Sequence, residues 1–396
     1  MQKKLIALAV AGMASSAAFA QSSTNVTLYG IVDMAYLAST SSGTGSKTSG
    51  IDAGGWSSSR IGFRGTEDLG GGLKAIFTLE YGLTPDVNSG IGNTGGTNAR
   101  QTFVGLTSSS WGTVRLGRFN SLGKDGSDNY DAMGSTTFSP LYSMVRGNAV
   151  TTGSAAGTNG FVPGATSTYS LSTQNSGRLS NAVDFKSTSM AGFVVAVQYS
   201  FAPNFGDNIA YNTAANPNQE SIMTAGIEYK DGPFGINGVY QRARAISDTN
   251  NSYKADEYFL GASYDFGMAK LMGTYQTIKR NENRNYPAVV NPPMNKTDDI
   301  WSAGVQIPVT PADKVYVGYA AANDGSALNN NSDSWGIQYA HDLSKRTMLY
   351  AGYQTVNNDN GAMTSVLSNQ GGGGGRAAVI PGKSTTGYGA GIRHTF

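Results

Sequence analysis

The feature that most restricts this chain is the rhythm of its interruptions. From Val26 onward, segments of about ten residues alternate between two kinds of side chain, and each then breaks off. Val26–Tyr36, Ser59–Glu67 and Leu73–Leu83 are the first three, and the run ending at Phe396 is the last of sixteen. A period of two over such lengths belongs to strands with two different faces. The breaks alternate in length. Short ones, such as Asp68–Gly72, Thr107–Gly112, Ser187–Gly192, Asp231–Pro233 and Asp342–Lys345, are separated by long Asn/Gly/Ser-rich stretches at 38–56, 84–97, 202–220, 279–298 and 357–385. Short turns at one end, long loops at the other and an even strand number predict an all-β, sixteen-stranded antiparallel transmembrane β-barrel. A soluble sandwich has no need of that asymmetry.

Composition agrees. Only 14% of the residues are charged, against roughly 25% in ordinary globular proteins. No run reaches the 18 apolar residues that a spanning helix needs. Lys3, Lys4, an apolar run from Leu5 to Met13 and Ala18-Phe19-Ala20 read as a signal peptide over 1–20, leaving 21–396 as the barrel. The chain has 28 basic residues; without Lys3 and Lys4 these are 26, against 26 acids. With no cysteine, an exported chain has no disulfides and must hold itself by hydrogen bonds and closure.

Charge placement separates the two faces. Phe193/Val195/Val197/Tyr199, Trp301/Ala303/Val305/Ile307, Val315/Val317/Tyr319 and Trp335/Ile337/Tyr339 form charge-free outward candidates. A lysine or arginine facing lipid at mid-depth costs about 2–4 kcal/mol. Asp33, Arg60, Arg64, Lys74, Glu80, Lys270 and Lys314 fall on the opposite faces, where a water-filled lumen accepts them. Lipid tolerates no free strand edge, so the last strand must pair with the first.

One break departs from the pattern. Nearly sixty residues, about 119–176, separate "VRLGR" from "GRLSNAVDF". A loop of that length is commonly functional. It is either a flap on the surface or a segment folded into the lumen to narrow it. Its early half supplies Asp125, Asp128 and Asp131 as candidates for an acidic side of the passage. Arg60, Arg100 and Arg178 are the candidate basic side. Guanidinium groups stay charged, so they must pair or face water. Either they bridge acids structurally, or with the loop they set up a transverse field that sorts ions by sign.

Other chemistries find little support. His341 and His394 are the two histidines, both on outward positions near the short-turn end, where an interfacial role is the ordinary reading and catalysis is not expected. There is no metal-binding motif, no phosphate loop and no basic patch for nucleic acid, so neither an enzyme nor a cofactor is expected.

"VTLYGIVD", "RIGFRGTEDLGGGLKAIFTLE", "ARQTFVGL", "WGTVRLGR", "GRLSNAVDF" and the closing "GIRHTF", in this order, resemble the general diffusion porins of Gram-negative outer membranes, betaproteobacterial type. The resemblance implies a homotrimer in the outer membrane, among lipid and lipopolysaccharide, with the third loop folded inward as the constriction. It implies that Arg60, Arg100 and Arg178, with Arg64 and Lys186 nearby, line that constriction. The enterobacterial Pro-Glu-Phe-Gly-Gly loop motif is absent; "FSPLYS" (Phe138–Ser143) stands in the loop instead. The terminal Phe396 resembles the mark read by the barrel assembly machinery. The expected function is passive diffusion of ions and small hydrophilic solutes with a weak anion preference. The alternatives are a channel preferring particular small anions, and a barrel serving mainly as a surface receptor or adhesin.

Overall fold

The computed structural model describes residues 25–43, 45–87, 99–147, 177–201, 221–248, 251–283, 296–325, 330–362, 364–367 and 379–396. Residues 1–24, including the segment read as a signal peptide, the later part of the long loop from 148 to 176 and the Gly371–Gly375 run lie outside these residues. The strands in chain order are β1 (Asn25–Ser41), β2 (Lys47–Ala53), β3 (Arg60–Gly70), β4 (Leu73–Gly82), β5 (Ala99–Ser108), β6 (Gly112–Asn120), β7 (Arg178–Ser187), β8 (Phe193–Ser200) and β9 (Ser221–Asp231). They continue as β10 (Phe234–Asp248), β11 (Asn251–Asp265), β12 (Lys270–Asn283), β13 (Lys296–Pro308), β14 (Asp313–Asn323), β15 (Ser332–Asp342), β16 (Thr347–Asn358) and β17 (Thr385–Thr395). Two short helices, α1 (Leu122–Tyr130) and α2 (Pro140–Gly147), fall between β6 and β7.

Seventeen segments make sixteen staves, because β2 and β3 together run alongside β1. The loop-side half of β1 pairs with β2 (Met34 opposite Ala53), and the other half with β3 (Ile31 opposite Arg60). Asp33 organises the interruption between them. Its buried carboxylate accepts the amides of Trp56 at 3.0 Å and Ser57 at 2.6 Å, and the Tyr350 hydroxyl bonds to its other oxygen. The interruption carries Trp56 inward, edge-on to Tyr316 at 5.5 Å between ring centroids.

Closure is complete. β1 pairs with β17 from Ile31 opposite Thr395 to Ser41 opposite Thr385. Beyond that register, Gly30 and Phe396 exchange two backbone hydrogen bonds of 3.1 Å. The terminal staves are thereby joined to each other, which is what a barrel requires in a medium without hydrogen-bonding partners.

The alternation read from sequence sorts the faces. Phe193, Val195, Val197, Tyr199, Trp301, Trp335, Ile337, Tyr339, Tyr388 and Ile392 are exposed outward. Their neighbours Gln198, Ser200, Gln338, Ala340 and Gln354 are buried inside. Tyr240, Tyr258, Tyr275, Trp301, Tyr319, Trp335, Tyr353 and Tyr388 follow one another around the outside toward the loop end, several in ring contact. Phe193, Tyr229, Phe234, Tyr264 and Phe266 do the same toward the short turns. These are two aromatic girdles bounding an apolar band. His341 and His394 sit at the short-turn rim, His341 against Asp313 at 2.7 Å and His394 against the Thr347 hydroxyl at 2.8 Å.

Candidate functional site

The long third loop turns inward. Ser121 caps α1, its hydroxyl accepting the Lys124 amide at 3.1 Å. Ser139 caps α2 in the same way, accepting from Tyr142 at 3.1 Å with Pro140 in the first helical position. α1 packs on the inner wall at β9–β12, and α2 on β13–β15. Both helices are too short to persist alone.

What holds them is a feature of the wall. In three strands a lumen-facing glycine is followed two residues later by a lumen-facing glutamine: Gly304/Gln306, Gly336/Gln338 and Gly352/Gln354. Each glycine makes room for the loop, and each glutamine binds the loop backbone. A β-carbon on Gly304 would stand 2.6 Å from the Ala132 side chain, on Gly336 2.5 Å from the Phe138 carbonyl, and on Gly352 2.4 Å from the Phe138 ring. Gln306 donates to the Ala132 carbonyl at 2.9 Å, Gln338 to that of Met133 at 3.3 Å, and Gln354 to that of Ser139 at 3.0 Å. Gln338 also accepts the Thr136 hydroxyl at 2.7 Å. Gln198 on β8 adds a two-way contact, accepting the Leu122 amide and donating to the Asn120 carbonyl, both at 3.0 Å. Met133, Phe138, Leu141, Met144 and Val145 complete the seat as one apolar cluster with Leu37, Ile278, Ile300 and Val356.

The loop acids are used differently from the sequence expectation. Asp131 is buried within its own loop, accepting the amides of Met133 at 3.0 Å and Ser135 at 2.7 Å and the Ser139 hydroxyl at 2.6 Å. It pins the bend between α1 and α2 rather than standing opposite the arginines. Burial pushes its carboxyl pKa up against the pull of those donors. Asp125 is also raised by burial, with the Asn120 side-chain amide donating at 2.9 Å. Asp128 pairs with Lys124 one turn earlier at 2.7 Å. "FSPLYS" supplies the Phe138 anchor, the Ser139 cap and the start of α2.

Across the ring from the seated loop, on β3–β7, the arginines gather. Arg100 Nε donates to Glu80 at 2.8 Å, and Arg60 Nη1 lies 3.9 Å from the same oxygen. The Tyr29 hydroxyl takes the other Glu80 oxygen at 3.1 Å. Arg118, which sequence reasoning passed over, donates to the Ala99 carbonyl at 2.9 Å and to the Ser180 hydroxyl. Arg178 lies within electrostatic reach of Arg100, Arg118, Glu80 and Tyr142 of α2, and its Nε has no hydrogen-bond partner among the described residues. The cluster depends on irregular pairing. Between β4 and β5 the register jumps from Leu79/Thr102 to Tyr81/Ala99, which brings Arg100 to the lumen-side Glu80. A second irregularity lies between β6 and β7, where Asn181 has a φ of 49°. Bulges commonly re-aim side chains in this way.

Two expected members stand apart. Arg64 is exposed, its guanidinium 5.2 Å from the Tyr29 ring centroid. Lys186 is exposed nearer the turns, on the rim of a small recess between α1 and β8–β10 that Asp125 and Glu228 also line. Arg115, on the same wall, is neutralised by a two-pronged pair with Asp184 at 3.0 and 3.1 Å from Nε. Of the four gathered guanidinium groups, Arg60 and Arg100 thus share the Glu80 carboxylate, and Arg118 and Arg178 have no ion pair among the described residues. They are permanently charged, so this side of the passage carries a positive field toward the loop.

The chain is similar to known proteins along most of its length. The family model described as "Gram-negative porin" matches residues 7–361. The outer membrane porin protein 32 of Delftia acidovorans is 32% identical over 397 residues, covering 100% of both chains. An outer membrane porin protein of Bordetella pertussis is 28% identical over 445 residues, again covering 100% of both. Among solved structures, an anion-selective porin from Comamonas acidovorans aligns with a TM-score of 0.73 at 27% identity, over 94% of this chain and 100% of that one. The Salmonella typhi OmpF structure shares the fold alone, at 16% identity and a TM-score of 0.63, over 94% of this chain and 97% of that one.

Proposed function

The chain belongs to the Gram-negative porin family, a passive channel of the outer membrane, and from that premise we propose that its pore prefers anions and is gauged by the seated third loop. One observation carries the proposal: of Arg60, Arg100, Arg118 and Arg178, only Arg60 and Arg100 pair with a carboxylate, that of Glu80, among the described residues. The loop acids nearest the passage do not redress the balance, since Asp131 is turned into its own loop and Asp128 onto Lys124. An anion entering between wall and loop exchanges part of its hydration for guanidinium donors, while a cation meets repulsion. The likeness to an anion-selective porin supports the same reading.

The proposal extends to assembly. The chain works as a homotrimer conducting ions and small hydrophilic solutes, without catalysis. Residues 1–20 act as a signal peptide removed after Ala20, and the outward-facing terminal Phe396 is recognised during barrel assembly. Single-channel recording of the purified protein in planar bilayers tests the channel. Ohmic conductance is expected, and its absence sinks the reading. The reversal potential in a salt gradient then tests the sign: a value on the anion side is expected, and one on the cation side refutes the role given to the arginines.

A further inference from the structure

The chain has four tryptophans, and three of them follow the rule for a barrel in lipid. Trp301 and Trp335 stand outward in the loop-side girdle, and Trp111 lies exposed in the turn between β5 and β6, stacked on Phe185 at 6.5 Å. Trp56 does the opposite: it is carried into the lumen and stays half-buried there. The chain builds a holder for it. The Asp33 carboxylate accepts the Trp56 and Ser57 amides, and the Thr137 amide of the third loop donates to the Gly55 carbonyl at 3.1 Å. The indole therefore stands where the seated loop meets the arginine wall. Tyr316 meets its ring edge-on at 5.5 Å, and Tyr350 lies tilted against it at 5.6 Å.

Two guanidinium groups are tied to the same short segment. Arg393 Nε donates to the Ser57 hydroxyl at 2.9 Å, and Arg60 Nε to the Ser58 carbonyl at 3.1 Å. The two arginines flank β1, Arg60 opposite Ile31 and Arg393 opposite Asp33, and lie within electrostatic reach of each other. With strands about 4.8 Å apart, their backbones are separated sideways by about 10 Å, a gap that a small anion and two long side chains span. The acids nearby are already engaged: Asp33 by the Trp56 and Ser57 amides and the Tyr350 hydroxyl, Glu80 by Arg100, and Asp342 by Lys314 at 3.2 Å. A ring face and a pair of forked cations thus stand side by side. Guanidinium forks match carboxylates, and an indole beside a phenol ring favours an aromatic neighbour, which it meets in offset or edge-to-face geometry.

We propose that Trp56, Tyr316, Arg60 and Arg393 form a binding step for small aromatic carboxylates in the lumen. Tyr316 is three residues from the turn-side end of β14 and Arg393 two from that of β17, so the step lies toward the short turns. It rests on the channel reading and names a class of anion that the passage detains.

The test records chloride current through the full-length purified protein in planar bilayers at neutral pH, with benzoate or cyclohexanecarboxylate added. Benzoate is expected to block saturably, with a half-blocking concentration at least about threefold below that of cyclohexanecarboxylate, the size of one aromatic contact. The saturated acid is the more apolar of the two, so equal or stronger block by it overturns the proposal. Trp56→Leu should abolish the difference between the two anions, and Trp56→Phe should keep it; a difference that survives in the leucine variant counts against the site. Arg393→Gln should raise the half-blocking concentration of both anions by about threefold or more, and unchanged block also counts against it. Heat-resistant migration on gels shows that each variant is folded. Chloride current that benzoate leaves unblocked overturns the site and leaves the channel standing, whereas no chloride current overturns the channel reading. Saturation-transfer NMR of benzoate with the protein in detergent reads the site without current. Ring signals are expected, with their loss in Trp56→Leu, and signals retained in that variant overturn the assignment.

Discussion

The Phe138 ring lies on Gly352 so closely that a β-carbon there would stand 2.4 Å from it. The contact joins the inward-folded third loop to a strand more than two hundred positions later in the chain. It sits beside the Gln354 bond to the Ser139 carbonyl, so space and hydrogen bonding fix the loop at the same place.

Gly352→Ala is therefore expected to lift this part of the loop without opening the barrel. Overpacking of a fitted contact costs about 1–3 kcal/mol. Single-channel conductance should change from the unaltered value and fluctuate more, while heat-resistant migration of the folded barrel on gels persists. A steady, unaltered conductance would show that the ring has another place to go.

Gln338→Leu keeps the bulk but removes both the donor to the Met133 carbonyl and the acceptor for the Thr136 hydroxyl. Leaving buried groups unsatisfied costs about 1–3 kcal/mol. Limited proteolysis should cleave between Ser121 and Gly147 faster than in the parent protein. Equal cleavage rates would assign the loop's seat to its apolar cluster alone.

Neutralising Arg60, Arg100 and Arg178 together by glutamine should move the reversal potential toward cations. Glu80→Gln should move it the opposite way, because the guanidinium groups lose the carboxylate that they share. Bi-ionic measurements in potassium chloride gradients decide both. If the two variants moved the potential in the same direction, the field account would be wrong.

Asp131 gives the loop a pH dependence of definite sign. Its carboxyl pKa in the folded loop is raised by burial, so the folded state binds a proton that the unfolded loop releases near its ordinary value of about 3.9. Loop docking is then strongest below that value and weakens as pH rises through the folded pKa. Proteolysis of the loop, followed across this range with an acid-tolerant protease at low pH, should accelerate with rising pH once corrected for protease activity. Asp131→Asn should flatten the profile.

The staves were legible because a half-wet, half-apolar surface imposes a period of two, and the seam followed because lipid allows no edge. The arginine cluster was legible in part. Counting strict alternation back from the outward Leu106 and Val104 puts Arg100 outside, and only the register jump opposite Glu80 returns it to the lumen. Arg118 was hidden in the same way, beside the irregularity at Asn181. The fate of Asp131 depended on a bend that forms only when the loop is seated. The Gly-x-Gln spacing on β13, β15 and β16, by contrast, was present in the sequence. It went unread because a glycine in a strand says that something approaches closely, without saying what.

The two hydrogen bonds between Gly30 and Phe396 also carry a consequence for timing. They join β1 to the residue just past β17, so the wall cannot seal until both of these staves are in place. A contact of such sequence separation is slow to form, and until it forms both terminal staves present open edges.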